Sequence, residues 1–139
     1  MKLSVKSDYA ARAVLGLARH YPTGKALRAD DLAREQNVPA NYLVQILIEL
    51  KAKRLVQSVR GKEGGYLLAR PPAEISLGAG IEAVNGEIFD SPAIDDAQCP
   101  QELREAWRSL RTTVEAAAAM VNFQHLLEAR NRKAEMYYI

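Results

Sequence analysis

Residues 38–66 read VPANYLVQILIELKAKRLVQSVRGKEGGY, and the pattern changes twice along them. Leu43, Ile46, Leu47 and Leu50 recur at helical spacing. The first part therefore predicts a helix from Pro39 to about Lys53 with one apolar face. Pro39 suits its first turn, where a missing N–H leaves no bond unmade. Leu55 to Val59 then alternates apolar and polar residues like a strand. Arg60-Gly61-Lys62-Glu63-Gly64-Gly65 is a basic, glycine-rich turn, and Tyr66 to Ala69 supplies a second short strand. A helix followed by a hairpin with a flexible basic tip is the order of elements in a winged helix-turn-helix, a shape that docks on DNA.

Working upstream, Ser7 or Asp8 can cap a first helix that runs to about His20. Tyr9, Ala13, Val14, Leu17 and Ala18 form its apolar stripe. Tyr21-Pro22-Thr23-Gly24 breaks it. A short helix over about 29–36 turns Leu32 and Ala33 inward, and Gln36-Asn37-Val38 makes the tight turn, because Asn37 tolerates a left-handed backbone. Downstream, Arg70-Pro71-Pro72 stops strand pairing. A small helix is expected over about 77–84 behind a Ser76 cap, then a loop over 85–98. A long helix follows from Pro100 to Met120 or Val121. A final short helix over about 122–130, a charged turn and the tail Met136-Tyr137-Tyr138-Ile139 complete the chain. The expected fold is mainly α. A winged helix-turn-helix domain with a small β-hairpin wing occupies residues 1–72, and dimerisation and regulatory helices with a C-terminal tail occupy 73–139.

The long helix carries Leu103, Trp107, Leu110, Val114, Ala117 and Val121 at spacings of 4, 3, 4, 3 and 4. That is a heptad seam. It can pack on its own domain or on a second copy, and a short basic domain leaves little surface to cover it. The expectation is a homodimer built on Leu103, Trp107, Leu110, Val114 and Val121.

Charge divides the chain. Residues 1–70 hold 13 Lys+Arg and 6 Asp+Glu, a net of +7, whereas residues 71–139 hold 6 and 11, a net of −5. The basic half contains the hairpin and its helix, which points to a polyanion. No apolar run approaches the roughly 18–20 residues that span a bilayer. One cysteine excludes an internal disulfide framework and fits a reducing cytosol. An enzyme is disfavoured: no nucleophile motif, phosphate loop or metal-ligand cluster is present, and Gly61–Gly65 lacks the Lys-Ser/Thr ending of a P-loop.

A recognition helix offers polar groups at its N-terminal end, where it enters the major groove. Asn41 and Gln45 are one turn apart, and amides of this kind pair with adenine. Tyr42 beside them can touch phosphate or a thymine methyl, or pack inward. Arg60 at the tip of the hairpin suits the narrow, electronegative minor groove of A·T-rich DNA. Gly61, Gly64 and Gly65 let the backbone turn sharply beside it. Lys6, Arg28, Lys51, Lys53, Arg54 and Lys62 are candidates for phosphate contacts or for plain solvated surface.

The opening MKLSVKSDYAARAVLGLA and the stretch NYLVQILIELKAKRLVQSVRGKEGGYLLARPP resemble the Rrf2 family of bacterial transcription regulators. The RGxxGGY motif, here Arg60 to Tyr66, carries the resemblance together with the helix before it. The likeness runs through the long helix to the ending MYYI and is greatest to regulators of cysteine metabolism. It implies a homodimeric winged-helix repressor on a pseudo-palindromic operator. Many relatives place a glutamate where this chain has Val44. Some relatives bind an iron–sulfur cluster through three cysteines in the loop before the long helix; this chain has only Cys99 there. The expectation is therefore no metal cofactor, the alternative being an atypical set that pools Cys99 with Asp8, His20 or His125. Cys99 is otherwise either a redox switch or an inert cap of the long helix. The resemblance also implies that Ile139 anchors a C-terminal peptide in cysteine synthase; the alternative is a tail packed on the dimer. A winged helix used only for protein contacts would leave the +7 half without a role.

Overall fold

The computed structural model describes residues 2–137. Helix α1 spans Val5–His20, a single 3-10 turn follows at Tyr21–Thr23, and α2 spans Ala29–Gln36. Helix α3 covers Ala40–Ala52, and strands β1 (Val56–Val59) and β2 (Gly65–Leu68) pair antiparallel with Val56 opposite Leu68 and Val59 opposite Gly65. Helices α4 (Leu77–Asn85), α5 (Gln101–Met120) and α6 (Phe123–Tyr137) complete the described chain. The predicted mainly helical fold with a hairpin wing is the observed one.

Helix α1 is the axis of the core. Ala10, Ala13 and Val14 are fully buried, and α1 packs against α2, α3, α4, α6 and β2. Leu32 from α2 and Leu43, Ile46, Leu47 and Leu50 from α3 close over it. The same cluster takes in Ile75 and Phe123, so the core crosses residue 72 without a break. A one-residue bridge explains how. The Leu77 N–H donates to the Val121 carbonyl at 2.7 Å and the Phe123 N–H to the Ile75 carbonyl at 3.1 Å, pinning the end of α5 to the start of α4.

Several element ends differ from expectation. Ser4, rather than Ser7 or Asp8, caps α1: its extended backbone leaves Oγ free to accept the Ser7 N–H at 3.0 Å. Ser7 is buried in the helix, and Asp8 pairs with Arg12 at 2.9 Å. Pro39 and Pro100 sit at the N-caps of α3 and α5, their ψ of 130° and 139° holding them extended just outside each helix. Cys99 is therefore not the cap of α5. Val121 adopts extended backbone after α5, so the helical seam ends before it. Residues 131–135, read as a charged turn, continue α6: asparagine, arginine, lysine, alanine and glutamate contain no helix breaker.

Candidate nucleic-acid interface

The turn between α2 and α3 sets the angle of the recognition helix. Asn37 takes the left-handed conformation, with φ 55°, and the Val38 N–H closes onto the Ala33 carbonyl at 3.0 Å. One side chain holds that turn from outside. Arg12 of α1 donates from Nη1 to the Gln36 and Asn37 carbonyls at 3.4 and 3.5 Å. Its other nitrogen meets Asp8, and its guanidinium lies 5.6 Å from the Tyr9 ring centre. Sequence reasoning missed Arg12. The Asp8–Arg12 spacing was visible in the chain, but the distant carbonyls it grips were not.

Helix α3 has two distinct faces. Leu43, Ile46, Leu47 and Leu50 are fully buried, whereas Asn41, Tyr42, Val44, Gln45 and Ile48 are exposed. Asn41, Tyr42 and Gln45 line one groove of about 410 Å³ together with Lys6, Ile46 and Glu49. Tyr42 stacks edge-on against Tyr9 at 5.5 Å yet remains 41% exposed, so it is both a packing residue and a surface one. Lys6 is engaged with Glu49 at 2.7 Å.

The wing is a two-stranded hairpin joined at its base by a one-residue bridge. Leu27, in the connection before α2, exchanges two 2.8 Å hydrogen bonds with Tyr66. Of the strand residues only Val56 and Leu68 are buried, Gly64 is buried in the turn, and Val59 is 45% exposed. The apolar–polar alternation of β1 thus marks a ribbon leaving the core rather than a half-buried strand. Arg60 is exposed at the tip. Gly61 has φ +107°, a conformation that costs other residues free energy. Gly65 has φ +149°, and a Cβ there would sit 2.4 Å from the Leu27 carbonyl oxygen. Alanine at Gly65 is expected to cost about 1–3 kcal/mol in strain and to loosen the wing. Faster amide exchange at Leu27 and Tyr66 would register it; unchanged exchange would contradict this reading.

The basic residues fall into separate places. Lys25, Arg28 and Lys62 line a recess of about 500 Å³ between the start of α2 and the wing, together with Asp31 and Glu63. Lys51 reaches from α3 to the wing, donating to Ser58 Oγ at 2.7 Å. Lys53 and Arg54 lie at the far end of α3, roughly 20 Å along the axis from Asn41 at the rise of an α-helix. Lys53 there lines a depression with Arg70 and Glu82. Arg54 takes φ 62° as the chain leaves α3.

On α5 no residue is buried: Leu103 and Leu110 are 42% and 47% exposed, and Trp107 and Val114 are partly so. The single chain therefore leaves this seam uncovered. Cys99 is half-buried before the helix and its N–H donates to the Asp96 carbonyl at 3.1 Å. Ile139 lies outside the described residues.

The chain belongs to the Rrf2 family of transcription regulators. The family model, described as "Iron-dependent Transcriptional regulator", matches residues 3–129. A Mycobacterium tuberculosis protein named as an HTH-type transcriptional regulator is 39% identical, over 82% of this chain and 73% of its own length. The HTH-type transcriptional regulator IscR of Yersinia pestis is 32% identical, over 96% and 87%. Among solved structures, CymR, the global cysteine regulator of B. subtilis, superposes with a TM-score of 0.81 at 26% identity, covering 93% of this chain and 98% of that one. The T. potens IscR superposes at 0.78 with 26% identity, covering 94% and 88%. The protein is thus a DNA-binding transcription regulator with a winged helix-turn-helix, and not an enzyme.

The description of the family names iron, and the donor set of this chain does not fit an iron–sulfur cluster. The chain has a single cysteine, and such clusters are held mainly by several thiolates. Among the described residues no three His, Cys, Asp or Glu side chains lie close enough together to hold a metal ion. His20 instead meets Glu35 at 3.1 Å, and the His125 ring nitrogen lies 3.4 Å from the Asn122 side-chain amide. No helix among the described residues is long and apolar enough to cross a membrane.

Proposed function

We propose that the protein is a homodimeric repressor that binds a pseudo-palindromic operator, each protomer reading one half-site. The observation that carries this is the outer face of α3, polar at its N-terminal end and left open by the rest of the fold. Asn41 and Gln45 read base edges in the major groove, with Tyr42 at their side. Arg60 enters the adjacent minor groove while Gly61, Gly64, Gly65 and Tyr66 shape the wing around it. Arg28, Lys51 and Lys62 neutralise phosphates, and Lys6, Lys53 and Arg54 contribute at longer range. Selection from random or genomic DNA by the purified protein tests the reading: two inverted half-sites support it, and binding without sequence preference overturns it. On the selected site, Arg60→Ala is expected to weaken binding about 10- to 100-fold, whereas Lys62→Ala weakens all sequences alike and lowers the salt slope by about 1. Equal loss of specificity in both variants would contradict the roles given.

The likeness to CymR supports control of cysteine metabolism, with the thiol of Cys99 or a partner at the C-terminus as the source of the signal. In the partner reading, Ile139 anchors the tail in cysteine synthase. Deleting Ile139 is then expected to abolish binding to the synthase in a pull-down while leaving DNA affinity intact. Binding that survives the deletion rules the anchor out.

A further inference from the structure

A second recess, away from the DNA-reading face, lies where the end of α1 meets α6. Its volume is about 470 Å³, within the range of small-molecule sites. Arg19 comes to it from α1 and Arg130 from α6. Tyr21, Pro72 and Leu127 supply apolar wall, and Gln124, whose side-chain amide donates to Glu128 at 3.4 Å, lines the same space. Among the described residues neither arginine has a carboxylate within 4 Å. The carboxylate in whose field Arg19 stands is Glu35, which is hydrogen-bonded to His20.

Two guanidinium groups sharing one recess are an unbalanced arrangement. Arginine does not lose its proton in proteins, so the repulsion cannot be relieved by titration. Arg19 and Arg130 are both exposed at the rim of the recess; partial desolvation and the nearby charge of Arg130 hold the Arg19 guanidinium below its ordinary range, and Glu35 offsets this only in part. An oxyanion placed between the two would replace repulsion with paired, charge-assisted hydrogen bonds, for which the guanidinium fork is well shaped. Apolar walls beside a doubly charged head select an organic anion over a bare inorganic one.

We propose that the recess between α1 and α6 binds a small organic dianion, a dicarboxylate or a phosphomonoester, gripped by Arg19 and Arg130. The site is independent of DNA and joins an element of the DNA-binding half to the helix that follows α5.

Thermal unfolding of the full chain without DNA tests it. Sodium succinate and glycerol 3-phosphate serve as probes, each against sodium chloride at equal ionic strength. At least one probe is expected to raise the midpoint by about 2–4 °C once it exceeds its dissociation constant roughly tenfold. A rise with succinate alone assigns a carboxylate ligand, and one with glycerol 3-phosphate alone assigns a phosphomonoester. The double variant Arg19→Gln/Arg130→Gln should show no rise. Arg34→Gln, which alters an exposed arginine of α2, should keep it in full. The proposal is overturned if neither probe acts, if the double variant still responds, or if Arg34→Gln also abolishes the response.

Discussion

Replacing Phe123 with alanine should lower the free energy of unfolding by about 3–5 kcal/mol, the usual cost of emptying an aromatic site in a packed core. Phe123 has no exposed surface and stands where three segments meet. Its ring lies against Gly80 of α4, so that a Cβ built at Gly80 would be only 3.7 Å from it. Its backbone N–H is bonded to Ile75. The space cannot be refilled by a neighbouring side chain without pulling α6 from α1. Denaturant titration gives the number directly. The loss should appear in a single cooperative transition, because Phe123 shares one core with Val14 of α1 and Leu47 of α3. A loss below about 1 kcal/mol, or a separate early transition of the C-terminal helices, would show that the core is not continuous.

The double variant Leu103→Glu/Leu110→Glu should convert a dimer to a monomer in sedimentation experiments, with its helical circular dichroism unchanged. Both leucines are exposed in the protomer, so folding of the single chain does not depend on them. Four carboxylates brought face to face across a paired seam would repel and would have to be desolvated. Affinity for an operator with two half-sites should then fall about 100-fold or more, because the second half-site is no longer bound intramolecularly. Affinity for a single half-site should hardly change. Retention of the dimer would refute the seam on α5 and redirect attention to other exposed apolar residues, such as Met120 and Leu3.

The recognition helix and the wing were legible because each has a strong local signature. The spacing of Leu43, Ile46, Leu47 and Leu50 admits one buried face, and all four are buried. Asn37 was legible for the same reason, since few residues accept its backbone conformation. The grouping of Lys6 with Asn41, Tyr42 and Gln45 was only half visible, because Lys6 belongs to another helix. What the chain concealed was made by pairing across distance. Leu27 stands alone in a connection and becomes strand-like only against Tyr66. Phe123 and Ile75 look like residues of a second unit until the bridge at Ser76 and Asn122 draws them into the first. The Ser76 cap of α4 was placed correctly, whereas the caps of α1 and α5 were misplaced by one to four residues, since polar residues and proline at neighbouring positions offer equivalent local solutions and packing chooses among them.

The short bridge between Leu27 and Tyr66 bears on how an operator is chosen. With Arg12 gripping the turn before α3, and Lys51 tying α3 to Ser58, the bridge makes helix and wing a closed frame. Such a frame is expected to adapt little to a duplex laid against it, which leaves the bending to the DNA. Base pairs that no side chain touches, between the major-groove and minor-groove contacts, should therefore influence affinity through their stiffness. Flexible pyrimidine–purine steps there would be favoured over rigid ones of equal hydrogen-bonding capacity.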